Sequence, residues 1–371
     1  MPSSVRPYYS VLWIALQRMV DRFRDLFGLV FSSIQRRLLV RVTKNSKEST
    51  VNPTVGLISP TSQTSTCPVF TIRPQSQINL DIIGVGAAGQ VYRVDDDIVL
   101  KTCRVYEPPG DDASPRERWF YASETLFHFN LMRDERTVLR LLEHRPHPNI
   151  VEAIDTDRVE GIYLRKYLRL SELDSTPQTV RILWYHDIIC ALLHIHDLGI
   201  AHSDVRMDNV LFDHQTRAVL CDFSASSPFG HPNPALPRTD LPVPINGISE
   251  FVSDATDRFA VASLIFQTEI GTKPELSVDD NGALVLPQIQ TGLDGLDTMI
   301  RKAWLGQYNS TAHMLKDADA LHCNLSRDAS GRAPPGLSGE SLRERIRLWR
   351  EHRERCFGNS ILSCLCSLVL F

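Results

Sequence analysis

His202-Ser203-Asp204-Val205-Arg206-Met207-Asp208-Asn209 is followed, thirteen residues beyond its last member, by Asp222-Phe223-Ser224. Between them lie two short apolar runs, Val210-Leu211-Phe212 and Ala218-Val219-Leu220-Cys221, which read as strand pieces. Two carboxylates and an amide therefore stand at fixed separations on adjoining backbone. Such a trio suits phosphoryl transfer. One Asp takes a hydroxyl proton, while the Asn and the second Asp hold magnesium against phosphate oxygens.

Working upstream, Gly84-Val85-Gly86-Ala87-Ala88-Gly89-Gln90-Val91-Tyr92 fits G-x-G-x-x-G-x-V without a gap. It follows a strand-like Ile78-Asn79-Leu80-Asp81-Ile82-Ile83. Alternation resumes through Tyr92 and Val94 to a turn at Asp95-Asp96-Asp97, then to Ile98-Val99-Leu100-Lys101. That is a hairpin pattern with glycines at its first bend. Glycines there let backbone N–H groups approach phosphate oxygens with no Cβ in the way. Tyr92 directly after Val91 argues against a Rossmann loop, where a helix should begin.

Together these stretches resemble the eukaryotic protein kinases: the H-R-D-x-x-x-x-N loop, D-F-G and the glycine-rich loop. His147-Pro148-Asn149-Ile150-Val151 looks like the H-P-N-I-V after the family's C-helix. Asp257-Arg258-Phe259-Ala260-Val261-Ala262-Ser263 resembles the D-x-W-S-x-G helix that anchors the catalytic loop. The run Leu296 to Trp304 resembles the later helix ending in K-C-W. The likeness covers about residues 77 to 325, in order. It implies an α+β, bilobal kinase-like fold: a β-rich N-lobe over 77–167 and a mainly helical C-lobe over 168–328.

The resemblance assigns roles residue by residue. Asp204 would be the catalytic base, and Asn209 and Asp222 the magnesium ligands. Lys101 would contact the α/β-phosphates of ATP and need a carboxylate to hold its ammonium. Glu135 is the preferred partner, at the start of an amphipathic helix with Val138, Leu139, Leu141 and Leu142 facing inward. Glu124, eleven residues earlier and on nearly the same face, is the alternative. The 34 residues from Lys101 to Glu135 are then a long gap, with roughly fifteen of them an insertion around Pro108-Pro109-Gly110. Arg206 falls where Ser/Thr-type kinases carry a lysine that steadies the γ-phosphate, so Ser/Thr substrates are implied. Arg for Lys exchanges a point charge for a planar fork. Ile83, Gly84, Val85, Gly86, Ala87, Ala88, Gly89, Val91, Val99 and Leu211 would line the ATP site, with Val91, Val99 and Leu211 as adenine walls. Cys221 would line the same pocket, open to nucleotide-site electrophiles.

Three positions depart from the pattern. Ser203 replaces the arginine before the catalytic aspartate, which in the family pairs with a phosphorylated activation loop. Ser224 replaces the glycine of D-F-G, at a cost in backbone freedom. Ile245 stands where the A-P-E glutamate should be, and Gly306 to Thr311 lacks its arginine partner. Losing both halves of a buried pair can be nearly neutral, whereas losing one costs about 3–5 kcal/mol. The segment Ala225 to Pro244 holds six prolines and should be extended and irregular.

The 371 residues allow one two-lobed domain plus extensions. A net charge of −4 predicts no bulk affinity for nucleic acid. Eight cysteines without C-x-x-C spacing indicate neither a zinc site nor a disulfide framework, and fit a reducing intracellular compartment, cytoplasmic or nuclear. Residues 1–42 form a basic amphipathic pattern, with Leu12, Leu16, Met19, Phe23, Leu26 and Val30 at helical spacing between arginines. It suits a membrane surface, a transit peptide, or docking on a partner or in cis. Residues 43–76 read as a disordered Ser/Thr/Pro linker. Residues 329–371 read as a linker, a charged helix over Ser341 to Arg355 and an apolar tail, Ile361 to Phe371, with Cys364 and Cys366. That tail is too short to span a bilayer. With the adjoining arginines it suits peripheral membrane contact through palmitoylated cysteines, or packing on a partner.

Three functions compete: an ATP- and magnesium-dependent protein kinase, a nucleotide-binding pseudokinase or scaffold, and a small-molecule kinase of the aminoglycoside phosphotransferase type. The glycine loop, H-P-N-I-V and the Asp257 helix argue against the last.

Overall fold

Alternating residues that bury one face build the first layer. The computed structural model describes residues 77, 79–86, 88–173, 176–235, 243–323 and 338–358, all within one compact unit, Val69–Phe371. Five strands, β1 (Ile82–Val85), β2 (Gly89–Arg93), β3 (Ile98–Cys103), β4 (Ala153–Asp155) and β5 (Ile162–Arg165), form an antiparallel sheet ordered β1-β2-β3-β5-β4. In β3 both faces are covered. Val99 and Lys101 pair with Leu164 and Ile162 on the cleft side, and Ile98 and Leu100 point to the other side. All six β3 residues are buried.

Helix α1 runs from Pro115 to Glu143, 29 residues. It starts far earlier than the sequence reading placed it. Ser114 and Glu117 form a reciprocal capping box and Pro115 sits at the first helical position, so the chain turns helical there. The insertion therefore lengthens the helix rather than making a loop. Leu139 and Leu142 face inward as expected, Val138 is half-buried, and Leu141 is 43% exposed, contrary to expectation. Residue 141 lies off the stripe formed by Met132, Glu135, Leu139 and Leu142.

The second lobe is built around α2 (Gln178–His196), apolar all round and buried at Ile182, Leu183, Trp184, Tyr185, Ile188, Ile189 and Leu192. Short strands β6 (Ile200–Ala201), β7 (Val210–Phe212), β8 (Ala218–Leu220) and β9 (Ser227–Pro228) follow, pairing β7 with β8 and β6 with β9. Helix α3 (Asp254–Ile270) ends at Gly271, whose φ of +83° makes the left-handed cap. A small hairpin of β10 (Ser277–Val278) and β11 (Leu284–Val285) leads to α4 (Asp294–Trp304) and α5 (Thr311–His322). The last described element, α6 (Gly339–Phe357), returns to the outer face of the five-stranded sheet. This is the bilobal α+β arrangement the sequence implied.

Among the described residues, no helix is long and apolar enough to cross a membrane. The amphipathic segment 1–42, the linker 43–76 and the tail with Cys364 and Cys366 lie outside the described residues. The arginines of the charged helix do not form a free cationic face. Arg343, Arg345, Arg347 and Arg350 each pair with a carboxylate of the chain.

Candidate nucleotide and phosphoryl-transfer site

Lys101 sits on β3 with its side chain 7% exposed. Its Nζ donates to Glu135 Oε1 at 2.7 Å and to Asp222 Oδ1 at 3.0 Å. Three separate elements meet at that ammonium: the sheet, α1 and the turn after β8. Burial alone would lower the Lys101 pKa; Glu135 and Asp222 outweigh it and raise it, so the amine stays charged. Burial pushes Glu135 up, with Lys101 pulling against it. Burial also works to raise Asp222, yet the Lys101 ammonium and a hydrogen bond from the Ser224 side chain hold it below the ordinary range. Glu124 does not reach this point; it lies 3.8 Å from His128.

The segment from His202 to Asn209 is fixed from below. Asp257, fully buried on α3, accepts from the backbone N–H of His202 at 2.6 Å and of Ser203 at 2.9 Å. Its Oδ2 also meets His196 Nε2 at 2.9 Å. Ser203 adopts φ +66° and Asp222 φ +63°. Two non-glycine residues in the left-handed region within one site are a concentration of backbone strain of the kind that functional geometry maintains. Ser224 lies in a single 3-10 turn, Phe223–Ala225, with ordinary φ, so the freedom of a glycine is not used there.

Asn209 Nδ2 donates to the Asp204 carbonyl at 2.8 Å and to its Oδ2 at 2.9 Å. The amide oxygen is thus the atom left for a cation. The Asn209 carbonyl accepts from Cys221 N at 2.9 Å, which draws Asn209 beside Asp222. Arg206 turns its guanidinium to the exposed Asp208 and stands at the rim.

Above these groups lies the glycine-rich bend. A Cβ on Gly89 would stand 1.8 Å from the Thr102 carbonyl, so only glycine fits against β3. A Cβ on Gly86 would meet Asp222 Oδ2 at 3.6 Å, which places this backbone directly over the carboxylate. Ala88 is buried and Val85 is 61% exposed; Ala87 lies outside the described residues. Ile83, Val91 and Val99 join one apolar cluster with Cys221, and Leu211 is the one β7 residue left half-buried. Burial pushes the Cys221 thiol up to about 12, with Asp222 adding to it. A thiol held protonated is a weak nucleophile, and this weighs against the expectation of an electrophile-reactive Cys221.

Two arginines at the site had no signal in the sequence reading. Arg104 Nη2 donates to the Gly86 carbonyl at 2.7 Å. Arg169 reaches across from the segment after β5 to the Ile83 carbonyl. Both pin the backbone that flanks the glycine bend. Ile245 is 37% exposed, without the buried carboxylate of the A-P-E pattern. Arg258 provides a different tie, pairing with Asp254 and donating to the Tyr308 carbonyl at 3.1 Å and to Thr311 Oγ1 at 3.3 Å.

Residues 78–240 match the family described as the protein kinase domain. The chain carries a protein kinase domain. The fission-yeast serine/threonine-protein kinase ppk8 (Schizosaccharomyces pombe) is 23% identical over 241 residues, 60% of this chain and 40% of the relative. Serine/threonine-protein kinase PrkC of Bacillus subtilis is 24% identical over 211 residues, 53% of this chain and 30% of the relative. Mitogen-activated protein kinase kinase kinase 3 of Arabidopsis thaliana is 27% identical over 158 residues, 39% of this chain and 23% of the relative. The chain thus spans well under half the length of these relatives.

Proposed function

We propose that the chain transfers the γ-phosphate of ATP, with magnesium, to a hydroxyl of a protein substrate of the Ser/Thr kind. The observation that carries this reading is the meeting of Lys101, Glu135 and Asp222 at 2.7 and 3.0 Å under the glycine bend. The donor set fits the cofactor. Asn209 and Asp222 offer hard oxygens, and magnesium is ordinarily held by one or two such groups plus phosphate oxygens and water. Among the described residues no three His, Cys, Asp or Glu side chains cluster as a self-sufficient metal cage, consistent with a site completed by substrate phosphates. Bound magnesium would neutralise charge on the transferring phosphoryl group.

The chain's own residues do the rest. Lys101 presents a permanent positive charge to phosphate oxygens. Glu135 holds that ammonium in place through its buried contact. The glycine bend brings backbone N–H groups close with no side chain between. Asp204, oriented by Asn209 Nδ2, accepts or aligns the proton of the incoming hydroxyl. That the relatives are serine/threonine-protein kinases supports Ser/Thr substrates and weighs against a small-molecule acceptor.

The pseudokinase reading draws on one feature. Arg206 is engaged with Asp208 rather than aimed at the space above Asp204. The deciding experiment is transfer of labelled terminal phosphate from ATP to the chain itself and to a Ser/Thr peptide library. Wild type labels and Asp204→Asn does not on the kinase reading; nucleotide binding with no labelling in either supports the scaffold. Peripheral membrane contact is proposed only for the terminal segments, and the full-length chain pelleting with anionic vesicles tests it.

A further inference from the structure

Helix α6 holds the elements that make the Lys101–Glu135 pair. Leu342 and Ile346, both fully buried, pack with Ile98, Leu100, Ile154 and Tyr163, and Trp349 closes the edge. Ile98 and Leu100 are on the reverse face of β3, the strand that carries Lys101. Arg345 reaches Asp97 and Asp95, each at 2.7 Å, in the turn that leads into β3. Arg343 pairs with Glu143 at 2.9 Å, at the end of α1, two turns beyond Glu135.

A third connection is the most demanding. Glu160, in the β4–β5 loop, has a side chain only 2% exposed, and Arg350 of α6 lies 2.5 Å from it. Tyr163 completes its shell at 2.9 Å. A buried carboxylate stripped of its cation is strongly disfavoured, so this loop is adapted to a docked α6. The same loop is bound by Arg136 of α1, which donates to the carbonyls of Thr156, Arg158 and Gly161 at 2.9, 2.6 and 3.1 Å. Arg136 is the residue next to Glu135.

We propose that α6 is a positioning clamp for the nucleotide site: by gripping the β3 turn, the β4–β5 loop and the end of α1 together, it sets the Lys101–Glu135 contact, and its release opens that contact. This rests on the proposed role of Lys101 and Glu135 in nucleotide binding. It makes the C-terminal helix part of the control of the domain, since α1 position governs whether the lysine–glutamate pair forms. Leu342, Ile346, Arg343, Arg345 and Arg350 act through other residues and touch no substrate.

Hydrogen exchange on the full chain tests the clamp without any ligand. Ile346→Asp places a charge in the apolar seat and displaces α6. Exchange across β3 and α1 residues 132–139 then rises about tenfold or more, while α3 stays as in wild type. Unchanged β3 and α1, or α3 rising equally, overturns the proposal. A gentler series guards against misfolding. Arg343→Glu and Glu143→Arg each raise exchange in α1 by about two- to fourfold, and the double variant restores it, as a solvent-exposed pair predicts. Failure of the double variant to restore it counts against the clamp. ATP affinity falls in step with exchange. Should wild type ignore ATP, the phosphoryl-transfer reading fails, while the exchange result still decides the clamp.

Discussion

Lys101 Nζ lies 2.7 Å from Glu135 Oε1, with the two side chains 7% and 2% exposed. The pair joins a strand to a helix across 34 residues of chain and is shared with Asp222, 121 residues away from Lys101. Its geometry depends on long-range packing, so it reports on the whole upper lobe. Its burial also makes it costly to break on one side only.

Lys101→Met leaves Glu135 buried with no cation. We expect a loss of about 3–5 kcal/mol at pH 8. The pH sign follows from Glu135, which burial already pushes up from 4.5. Without Lys101 it rises further, so the folded variant holds a proton that the unfolded chain releases. The variant's stability is then fully present below about pH 4.5 and falls as pH rises through the folded value. Urea unfolding at pH 5 and pH 8 measures this; a pH slope equal to that of wild type contradicts it.

Asp204→Asn keeps the Asn209 contact to the backbone carbonyl and changes little volume. Phosphate transfer should fall about 10²- to 10⁴-fold while ATP affinity stays within about twofold. A parallel loss of both would mean that Asp204 supports the fold rather than the proton transfer.

Asp257→Ala strips the acceptor from two buried N–H groups, those of His202 and Ser203. Each orphaned donor costs about 1–3 kcal/mol, so the melting temperature drops by several degrees and transfer falls with it. Asp257→Asn retains one acceptor oxygen and should lose roughly half as much. Equal losses in both variants would contradict this account.

Cys221 should resist alkylation. With its thiol near 12, the thiolate is about one part in ten thousand at pH 8. Iodoacetamide at that pH should label the exposed Cys323 and Cys356 first, with no effect of ATP on Cys221. Rapid, ATP-protected labelling at Cys221 would overturn the picture of a half-buried, inert sulfur.

Much of the site was legible because its residues sit at fixed spacing on short local elements. Asp204, Asn209 and Asp222 lie on one loop and one strand pair, and the glycines on one bend. Lys101 is legible from its place in the family pattern after the glycine bend, and Glu135 from its distance to His147-Pro148-Asn149-Ile150-Val151. The start of α1 is hard to read because its signal, the capping box Ser114-Pro115-Arg116-Glu117, comes directly after the turn-like Pro108-Pro109-Gly110, which suggests a loop. Leu141 was misplaced because four leucine and valine positions in five residues cannot all share one helical face. Arg104 and Arg169 carried no signal, since their partners are backbone carbonyls brought near only by folding. The seat of α6 is hidden for the same reason: the sequence shows a charged helix, but its partners Asp95, Asp97, Glu143 and Glu160 are brought opposite it only by folding.

The central claim is that Lys101, Glu135, Asp204, Asn209 and Asp222 surround one magnesium-bound triphosphate. Calorimetric titration of the full chain with ATP, with and without magnesium, tests it most directly. The account predicts saturable binding that weakens at least about tenfold without magnesium and likewise in Asp222→Asn. No heat of binding under either condition, or identical binding in Asp222→Asn, would contradict it.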